Sequence, residues 1–446
     1  MSSIPAEALA LFQPLAAAFT APTCQRFTLL ALAALLTTGR RTVRNLLRTT
    51  RSLAQGDASS FHRVLSHAKW QGLRLAARFA RLVLLRLGRK KRIELVGDDT
   101  VCEHRGKKVW GKGRHRDAVR SSHSFTAYRW GHKWVVLAVL VRFPFTPRPW
   151  PIPLLVVLYR TPKDNQAAGR RHKTPADLMR QMLCVLLHWF PDRHFVFAGD
   201  SGYGTHELAH FAQRRSGRLV LVSRFYADAN LYAPPPPYTG KGRPRVKGDK
   251  QPSPRDVVAT AERHRLRVRW YGGGWRSVEV VSGVGHWYKG GGGLVAVRWV
   301  YVQDQTGTHR DDYLSSTEVR MTPRQIIETY TKRWNIETLF QEARAYLGLE
   351  TTRGWCQNTV LRAEPGLFGL YGIVALLYEQ LPAEARTQAG VDWVGKKDVT
   401  FSDAITAVRR WLWKEWVFAK GGHADAVDKL PEPLKETLLY ALAPAA

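Results

Sequence analysis

A tyrosine, two arginines and a glutamate occur at helical spacing in one segment, and together they have the chemistry of a phosphate-binding site. Arg333, Glu337 and Arg344 follow Tyr330 at offsets of 3, 7 and 14 residues. At 100° per residue, these positions fall within roughly 60° of one another around a helix. The glutamate can bind a divalent cation, the arginines can neutralise phosphate oxygens, and the tyrosine can hydrogen-bond a nucleic-acid backbone. A solvated helix face with intrahelical Arg–Glu pairs has the same spacing. The segment alone therefore does not distinguish a phosphate-binding site from such a face.

Two further carboxylates come at the ends of predicted strands, where side chains emerge at the edge of a sheet. Asp99 and Asp200 each follow a short apolar run of the β type. With Glu337 they make a set of three oxygen ligands, which suits two Mg²⁺ ions roughly 3.5–4 Å apart in phosphoryl displacement. We expect Mn²⁺ to substitute for Mg²⁺. Neighbouring side chains on a strand point to opposite faces, so Asp98 would turn to the other side of the strand from Asp99.

The charge balance indicates a polyanionic partner. The 446 residues include 68 Lys or Arg and 36 Asp or Glu, which gives a formal net charge of +32. Hydrophobic residues make up 45% of the chain, enough to form packed cores, which excludes general disorder. The apolar runs are shorter than the roughly 20 residues that cross a bilayer, so no membrane span is predicted. No basic segment precedes the first apolar stretch, so we expect no secretory signal and a cytoplasmic protein.

Cysteine and histidine spacing gives no metal-binding pattern. The four cysteines lie far apart without a C-x-x-C pair, which argues against a disulfide framework and a zinc ribbon. His104, His115, His123 and His132 follow Cys102 at irregular spacing, which predicts no metal cluster there. Any metal in this chain is therefore expected to use oxygen ligands.

The first 90 residues have the apolar periodicity of helices, two of them joined by a tight turn. In the first of these two helices, Arg41, Arg44, Arg48 and Arg51 fall on one stripe opposite apolar residues. This pattern suits a helix-turn-helix that presents cations to DNA phosphates, with Arg44 and Arg48 as contact residues. A helical hairpin with a solvated basic face would show the same pattern.

Strand and helix signals then alternate, which predicts an α/β fold with a mixed sheet. The predicted strands are residues 93–96, 134–141, 154–159, 195–198 and 219–222, followed by antiparallel strands at 266–271, 278–281, 294–302 and 313–317. A Pro/Gly/basic linker at 234–248 separates the two groups. We divide the chain into a helical DNA-end-binding domain (1–90), a first part of the catalytic core (91–224), a β-strand insertion domain (225–318), a second part of the core (319–381) and a helical C-terminal region (382–446).

The segment Tyr330-Thr-Lys-Arg333-Trp-Asn-Ile-Glu337, continued to Arg344, resembles the Y-(2)-R-(3)-E-(6)-K signature of the DDE transposases of bacterial insertion sequences. Asp-Thr and Gly-Asp at the upstream strand ends fit the same family, and the resemblance covers roughly residues 90–380. It implies an α/β, ribonuclease H-like core whose mixed sheet is interrupted by an antiparallel β insertion, with helical N- and C-terminal regions.

The resemblance also implies roles for single residues. The three carboxylates would be the catalytic metal ligands, and Asp99 is favoured over Asp98 because the family's aspartate directly precedes a threonine. Tyr330 and Arg333 would contact DNA. Arg344 stands where the family usually has lysine, which keeps the charge but replaces an ammonium by a planar fork.

Family members cut DNA at transposon ends, in several cases through a hairpin with a flipped base stacked on an aromatic ring. Trp275, Trp287 and Trp299 in the insertion are candidates for such a platform, or are core residues. Arg243 and Arg245 in the linker resemble an arm that inserts into the minor groove, and they would also suit a solvated basic linker.

Two local matches to other motifs are rejected. The sequence Gly199-Asp-Ser-Gly202 resembles the surroundings of a trypsin-like serine, but its strand-to-helix context is wrong for that β-barrel. Gly106 to Lys112 has the spacing of a phosphate-binding loop, but Gly113 replaces the required Ser or Thr.

Two functions remain open. The first is a Mg²⁺-dependent DNA transposase that binds insertion-sequence ends and carries out strand cleavage and strand transfer. The second is a non-catalytic, sequence-specific DNA-binding protein derived from a transposase. In either case we expect double-stranded DNA as the partner, at transposon ends and target, and no membrane association. We also expect a homodimer on DNA, because cutting two ends together usually needs two protomers.

Overall fold

The computed structural model describes residues 4–444 except positions 52, 89–91, 118–119, 123, 241, 388–393 and 397. The helices in this part of the chain are α1 (Ala6–Phe12), α2 (Ala21–Leu36), α3 (Val43–Thr49), α4 (Ala58–Ser66), α5 (Gly72–Arg86), α6 (Pro162–Ala167), α7 (Pro175–Trp189), α8 (His206–Gln213), α9 (Pro254–Thr260), α10 (Pro323–Thr331), α11 (Asn335–Leu347), α12 (Gln357–Gln380), α13 (Ala383–Thr387), α14 (Phe401–Leu412), α15 (Ala424–Asp428) and α16 (Glu432–Leu442). The strands are β1 (Arg92–Glu103), β2 (Gly113–Arg116), β3 (Tyr128–Val141), β4 (Trp150–Tyr159), β5 (His194–Gly199), β6 (Leu219–Arg224), β7 (Leu231–Tyr232), β8 (His264–Arg269), β9 (Trp275–Lys289), β10 (Gly293–Asp304) and β11 (Asp312–Ser316).

The described strands form one mixed sheet of eleven strands. Its order is β2-β3-β1-β5-β6-β11-β10-β9-β7, with β4 paired to β3 and β8 paired to β9. The β1–β5 and β5–β6 pairs are parallel, whereas β3 runs antiparallel to both β1 and β4. The prediction of an α/β fold with a mixed sheet is therefore confirmed. The order β4-β3-β1-β5-β6 is consistent with the ribonuclease H-like core that the resemblance implies.

The strands after the linker continue the core sheet. Strands β8 to β11 are antiparallel to their neighbours, as predicted, and β11 pairs with β6 through Leu314 and Arg224. The described residues of the linker at 234–248 have neither helix nor strand. The division of the chain into five domains stays a prediction.

Helices cover both faces of the sheet, and the alternation of side chains decides which residues meet which helix. Val196 of β5 belongs to the apolar cluster that contains Ile326, Ile327 and Tyr330 of α10. Gly97 of β1 lies on the opposite face, where a Cβ atom would come within 2.5 Å of Met179 in α7. A Cβ atom at this position would force the side chains of Met179 and Phe197 to shift, so glycine favours the close packing of α7 on β1, and β1 lies between two helical layers.

Helix α12 is long and apolar enough to cross a membrane by length and composition. Most of it is buried inside the structure, where it packs against β4, α11 and α14. The charged residues Arg362 and Glu364 precede Pro365 within the helix, so the uninterrupted apolar run in the sequence is shorter than the helix. The contacts identify α12 as a core helix of this fold.

The predicted pair of N-terminal helices corresponds to α3 and α4. The Asp57 carboxylate accepts a hydrogen bond from the Ser59 N–H at 2.8 Å and caps α4. Arg44 and Arg48 are exposed on α3, as expected. Arg41 was wrongly placed in the same basic stripe: it is buried, and its guanidinium donates to the carbonyls of residues 38, 39 and 346. Three backbone acceptors hold this charge inside the protein.

Candidate active site

The signature segment begins with a capping box, as the sequence predicts. The Thr322 hydroxyl accepts from the Gln325 N–H, and the Gln325 side chain accepts from the Thr322 N–H. A tight 3₁₀ turn at Lys332–Trp334 then joins α10 to α11. Because a 3₁₀ turn has three residues per turn, the uniform 100° spacing does not hold through this segment.

The Arg333 guanidinium bridges two carboxylates from distant parts of the chain. Its Nη1 donates to Asp98 Oδ2 at 2.8 Å, and its Nη2 donates to Glu337 Oε1 at 3.0 Å. The Arg333 side chain is only 10% exposed, so solvent screens these ion pairs weakly. This bridge fixes the middle of β1 against the start of α11.

Asp200 lies level with Asp98 on the neighbouring strand. Strands β1 and β5 are parallel and in register, with Val96 opposite Ala198. Two residues further on, the same register brings Asp98 beside Asp200 and points both side chains to the α11 face. The Asp200 Oδ1 accepts from the Gly202 N–H at 2.9 Å, which orients the carboxylate in the turn after β5.

Asp99 points to the opposite face of β1. Its Oδ1 pairs with Lys133 Nζ at 2.9 Å, and its Oδ2 accepts from the Tyr203 hydroxyl at 3.3 Å. The strand alternation used to choose between the two aspartates is therefore present, but it is Asp98 that faces α11 and contacts Arg333. Sequence analysis did not identify Lys133 or Tyr203. Only the parallel register of β1 and β5, which no local sequence pattern gives, places Asp98 beside Asp200.

Burial and crowding of negative charge dominate the electrostatics of this site. Burial, followed by the nearby charges of Asp200 and Asp99, raises the pKa of Asp98 to about 7 although Arg333 opposes the shift. Burial likewise raises the pKa of Asp99, against the effect of Lys133. For Arg333, burial alone would lower the pKa, but the charges of Asp98 and its neighbours raise it above the ordinary value. The arginine therefore stays charged, and its presence limits the repulsion among the carboxylates.

Arg344 is held by contacts within the protein. Its guanidinium donates to the Thr100 hydroxyl, to the Val101 carbonyl at 3.2 Å and to the Phe340 carbonyl at 3.3 Å. A fourth contact reaches the Glu350 carboxylate at 3.4 Å. The side chain is 31% exposed, and it ties α11 to the part of β1 that follows Asp98 and Asp99.

A cavity of about 300 Å³ opens beside Tyr330 and Arg333. Its lining is aromatic and basic: Arg224, Trp270, Tyr271, Val302, Thr308, His309, Arg310, Asp312, Leu314, Ile327, Tyr330, Thr331, Arg333 and Trp334. The three tryptophans considered from the sequence lie elsewhere. Trp299 is buried in the core, Trp287 packs against His206, and Trp275 is exposed.

The remaining predicted DNA contacts lie in the linker. Arg243 and Arg245 are both exposed, and Arg245 makes one long contact with exposed Asp249 at 3.7 Å. Their guanidinium groups are available to a ligand, and so are those of Arg44 and Arg48 on α3.

One group of three side chains in the described part of the chain brings metal-ligating atoms within 4.8 Å of one another: His104, His132 and Glu364. The carboxylates of Asp98, Asp200 and Glu337 are therefore more widely spaced, with Arg333 between two of them. Two histidines that seemed irregularly spaced in the sequence are thus neighbours in space, while His123 lies outside the described residues.

Comparisons with known proteins identify the family. The sequence-family model of the DDE superfamily endonucleases matches residues 14–277, a range that includes Asp98, Asp99 and Asp200. The model described as archaeal putative transposase ISC1217 matches residues 295–363, which include the Tyr330–Arg344 segment. None of the curated proteins matches the chain.

Among solved structures, one similar chain belongs to the "Cryo-EM structure of piggyBac transposase synaptic complex with hairpin DNA". It has 10% sequence identity and a TM-score of 0.40, and the match covers 95% of this chain and 76% of that chain. The first family match spans more than half of the 446 residues. The chain therefore belongs to the DDE superfamily of endonucleases.

Proposed function

We propose that this chain is a DNA transposase of the insertion-sequence type, which binds transposon ends and cleaves and joins DNA strands by a metal-dependent DDE mechanism. The observation that carries the proposal is the Arg333 bridge between Asp98 and Glu337, with Asp200 beside Asp98. Family membership supports an endonuclease. The match to a transposase model over the signature segment supports transposition as its use.

The proposed metal ligands are Asp98, Asp200 and Glu337, with Asp98 in the position that the sequence gave to Asp99. The donor set fits a hard divalent cation, because it offers carboxylate oxygens alone. The raised pKa of Asp98 reflects burial first and then the crowding of negative charge, and a bound cation would relieve the crowding. Two Mg²⁺ ions, or Mn²⁺ in their place, would activate the attacking oxygen and stabilise the leaving oxygen.

The residues of the chain itself hold and orient the DNA backbone. Arg333 pairs with two carboxylates, so it holds them in place and offsets part of their negative charge beside a bound phosphate. The cavity beside it is lined by Trp270, Tyr271 and Trp334, whose rings can stack on a nucleobase turned out of the duplex. We assign this pocket, in preference to Trp275, Trp287 or Trp299, to a flipped base.

Exposed cations supply sequence-independent affinity for the duplex. Arg44 and Arg48 on α3 would contact phosphates at the transposon end, and Arg243 and Arg245 would follow the DNA outside the core. Tyr330 and Arg344 support the site from within: Tyr330 is buried next to Arg333, and Arg344 holds β1. A homodimer on DNA would bring two ends together. A cytoplasmic site of action fits the insertion-sequence assignment.

The test is cleavage of DNA that carries the inverted repeats flanking the gene. Purified protein with Mg²⁺ is expected to cut at the repeat tips and to transfer the freed 3′ ends to a target plasmid. Glu337→Gln should abolish cleavage with end binding retained, because the substitution removes a ligand charge but keeps the shape. Binding without any cleavage by the unmutated protein would instead indicate a non-catalytic DNA-binding descendant of a transposase.

A further inference from the structure

A second cluster of metal-ligating side chains is buried on the same sheet, away from the proposed nuclease centre. It consists of His104 just after β1, His132 on β3 and Glu364 on α12, and each is at most 6% exposed. The ligand atoms of the three all lie within 4.8 Å of one another. His104 stands six residues after Asp98, which is about 20 Å along an extended strand. The two sites are therefore separate.

The hydrogen bonds of the cluster leave one nitrogen lone pair directed at a carboxylate. His132 Nε2 lies 2.9 Å from the Trp110 carbonyl, which can only accept, so Nε2 carries the proton. In the neutral ring Nδ1 is then a lone pair, and this atom is buried. It lies 3.4 Å from Glu364 Oε2. A lone pair facing a carboxylate oxygen is repulsive unless a proton or a cation lies between them.

The surroundings of the cluster match those of metal ligands in proteins. Metal-bound histidines usually donate their second N–H to a carbonyl or carboxylate, as His132 does to Trp110. Ligating carboxylates are themselves hydrogen-bonded, and the Trp134 indole N–H donates to Glu364 Oε2. His104 Nε2 contacts the other oxygen, Glu364 Oε1. These neighbours orient the donors toward a common point.

We propose that His104, His132 and Glu364 bind one Zn²⁺ ion. Two imidazole nitrogens and a carboxylate form a donor set that suits zinc better than Mg²⁺, which prefers oxygen ligands alone. The fourth position is open to a water, as in zinc sites with three protein ligands. The expectation from the sequence that any metal uses oxygen ligands does not extend to this site.

The ion would join three elements that are far apart in sequence. β1 carries Asp98 and Asp99, β3 pairs with β1, and α12 is the long core helix. A zinc ion at this point would cross-link the C-terminal end of β1 to α12. The site thus has a structural role, independent of whether the chain cuts DNA.

The test is the zinc content of the full-length protein produced in zinc-supplemented medium and passed over a chelating resin in excess Mg²⁺. The magnesium occupies the carboxylates of the nuclease centre, so retained zinc reports on the buried cluster. The expected result is about one zinc per chain, with at least a tenfold loss in Glu364→Gln and in His132→Gln. The matched control is His115→Gln, a buried histidine on β2 outside the cluster, which should keep its zinc.

X-ray absorption of the zinc-loaded wild-type protein gives a second measurement that does not depend on variants that fold. Two imidazole ligands are expected in its spectrum. A wild-type protein that retains no zinc would overturn the proposal. So would zinc that Mg²⁺ displaces, zinc with oxygen ligands alone, or equal retention in folded Glu364→Gln and His132→Gln.

Discussion

Neutralising Asp98 is expected to stabilise the metal-free protein. The carboxyl is buried beside two other aspartates, and its pKa is raised from 3.8 to about 7 in the folded chain. A group whose pKa is raised on folding contributes stability that is fully present below its unfolded pKa. That stability is lost as the pH rises through the folded value. The ionised Asp98 therefore destabilises the fold at pH values above about 7.

The expected stabilisation by Asp98→Asn follows from how far folding raises the pKa of Asp98. About three pKa units at 1.36 kcal/mol each give a ceiling of about 4 kcal/mol. The Asp98 side chain is 18% exposed, so solvent screening reduces this only in part. In Asp98→Asn, the free energy of unfolding near pH 8 should exceed that of the wild type by up to this amount. Below about pH 3 the two should agree, because Asp98 is then largely neutral in both states.

The assay is urea unfolding in the presence of a chelator across this pH range. Asp304→Asn is the control of opposite sign. Despite its burial, hydrogen bonds from Thr306 and Thr308 lower the Asp304 pKa to about 2, so Asp304 contributes stability above pH 3.8 that is lost as the pH falls through about 2. Added Mg²⁺ should reduce the difference in the free energy of unfolding between the wild type and Asp98→Asn near pH 8. If Asp98→Asn were less stable than the wild type near pH 8 without metal, ionised Asp98 would not destabilise the fold as proposed.

Three further outcomes are expected. Arg333→Met should lower the free energy of unfolding of the metal-free protein by about 3–5 kcal/mol, because it leaves two carboxylates unpaired; a urea titration measures this, and no loss would show that the bridge is unimportant. Glu342→Gln should be more stable than the wild type near pH 8 by up to about 3 kcal/mol and equal to it below about pH 4. The reason is that burial raises the pKa of Glu342 from 4.5 to about 7, against the hydrogen bond from Tyr371; equal stability at both pH values would contradict it. The double variant Arg44→Ala/Arg48→Ala should reduce the slope of log K for end DNA against log[salt] by about 2, and an unchanged slope in fluorescence anisotropy would remove α3 from the DNA contact surface.

Much of the fold could be predicted from the sequence because its elements carry strong local signals. The residue types at Thr322 and Thr174, each followed by proline, are typical of helix N-termini, and both threonines cap helices in the structure, α10 and α7. The predicted β-type runs correspond to β1, β3 to β6 and β8 to β11. Strand lengths were underestimated, since pairing with neighbours extends a strand beyond its apolar residues. Strand β1, for example, continues through Asp98 and Asp99 to Glu103.

The details of the site depended on tertiary contacts that leave no local trace. Both aspartates lie on one strand, and only the register of β1 against β5 and the position of α11 determine which one faces Glu337. Arg41 looked like a member of a basic stripe, but its carbonyl partners include Tyr346, some three hundred residues away. The cluster of His104, His132 and Glu364 likewise forms only when β1, β3 and α12 come together. No spacing rule within one segment could have revealed these sites.

Anomalous scattering from crystals soaked in Mn²⁺ is the most direct test of the proposed metal site. We expect manganese peaks bounded by the carboxylates of Asp98, Asp200 and Glu337, on the face of β1 that meets α11. Two results would contradict the proposed metal site. One is a manganese peak at Asp99, on the face of β1 where Lys133 lies, and the other is the absence of a peak at any of these carboxylates.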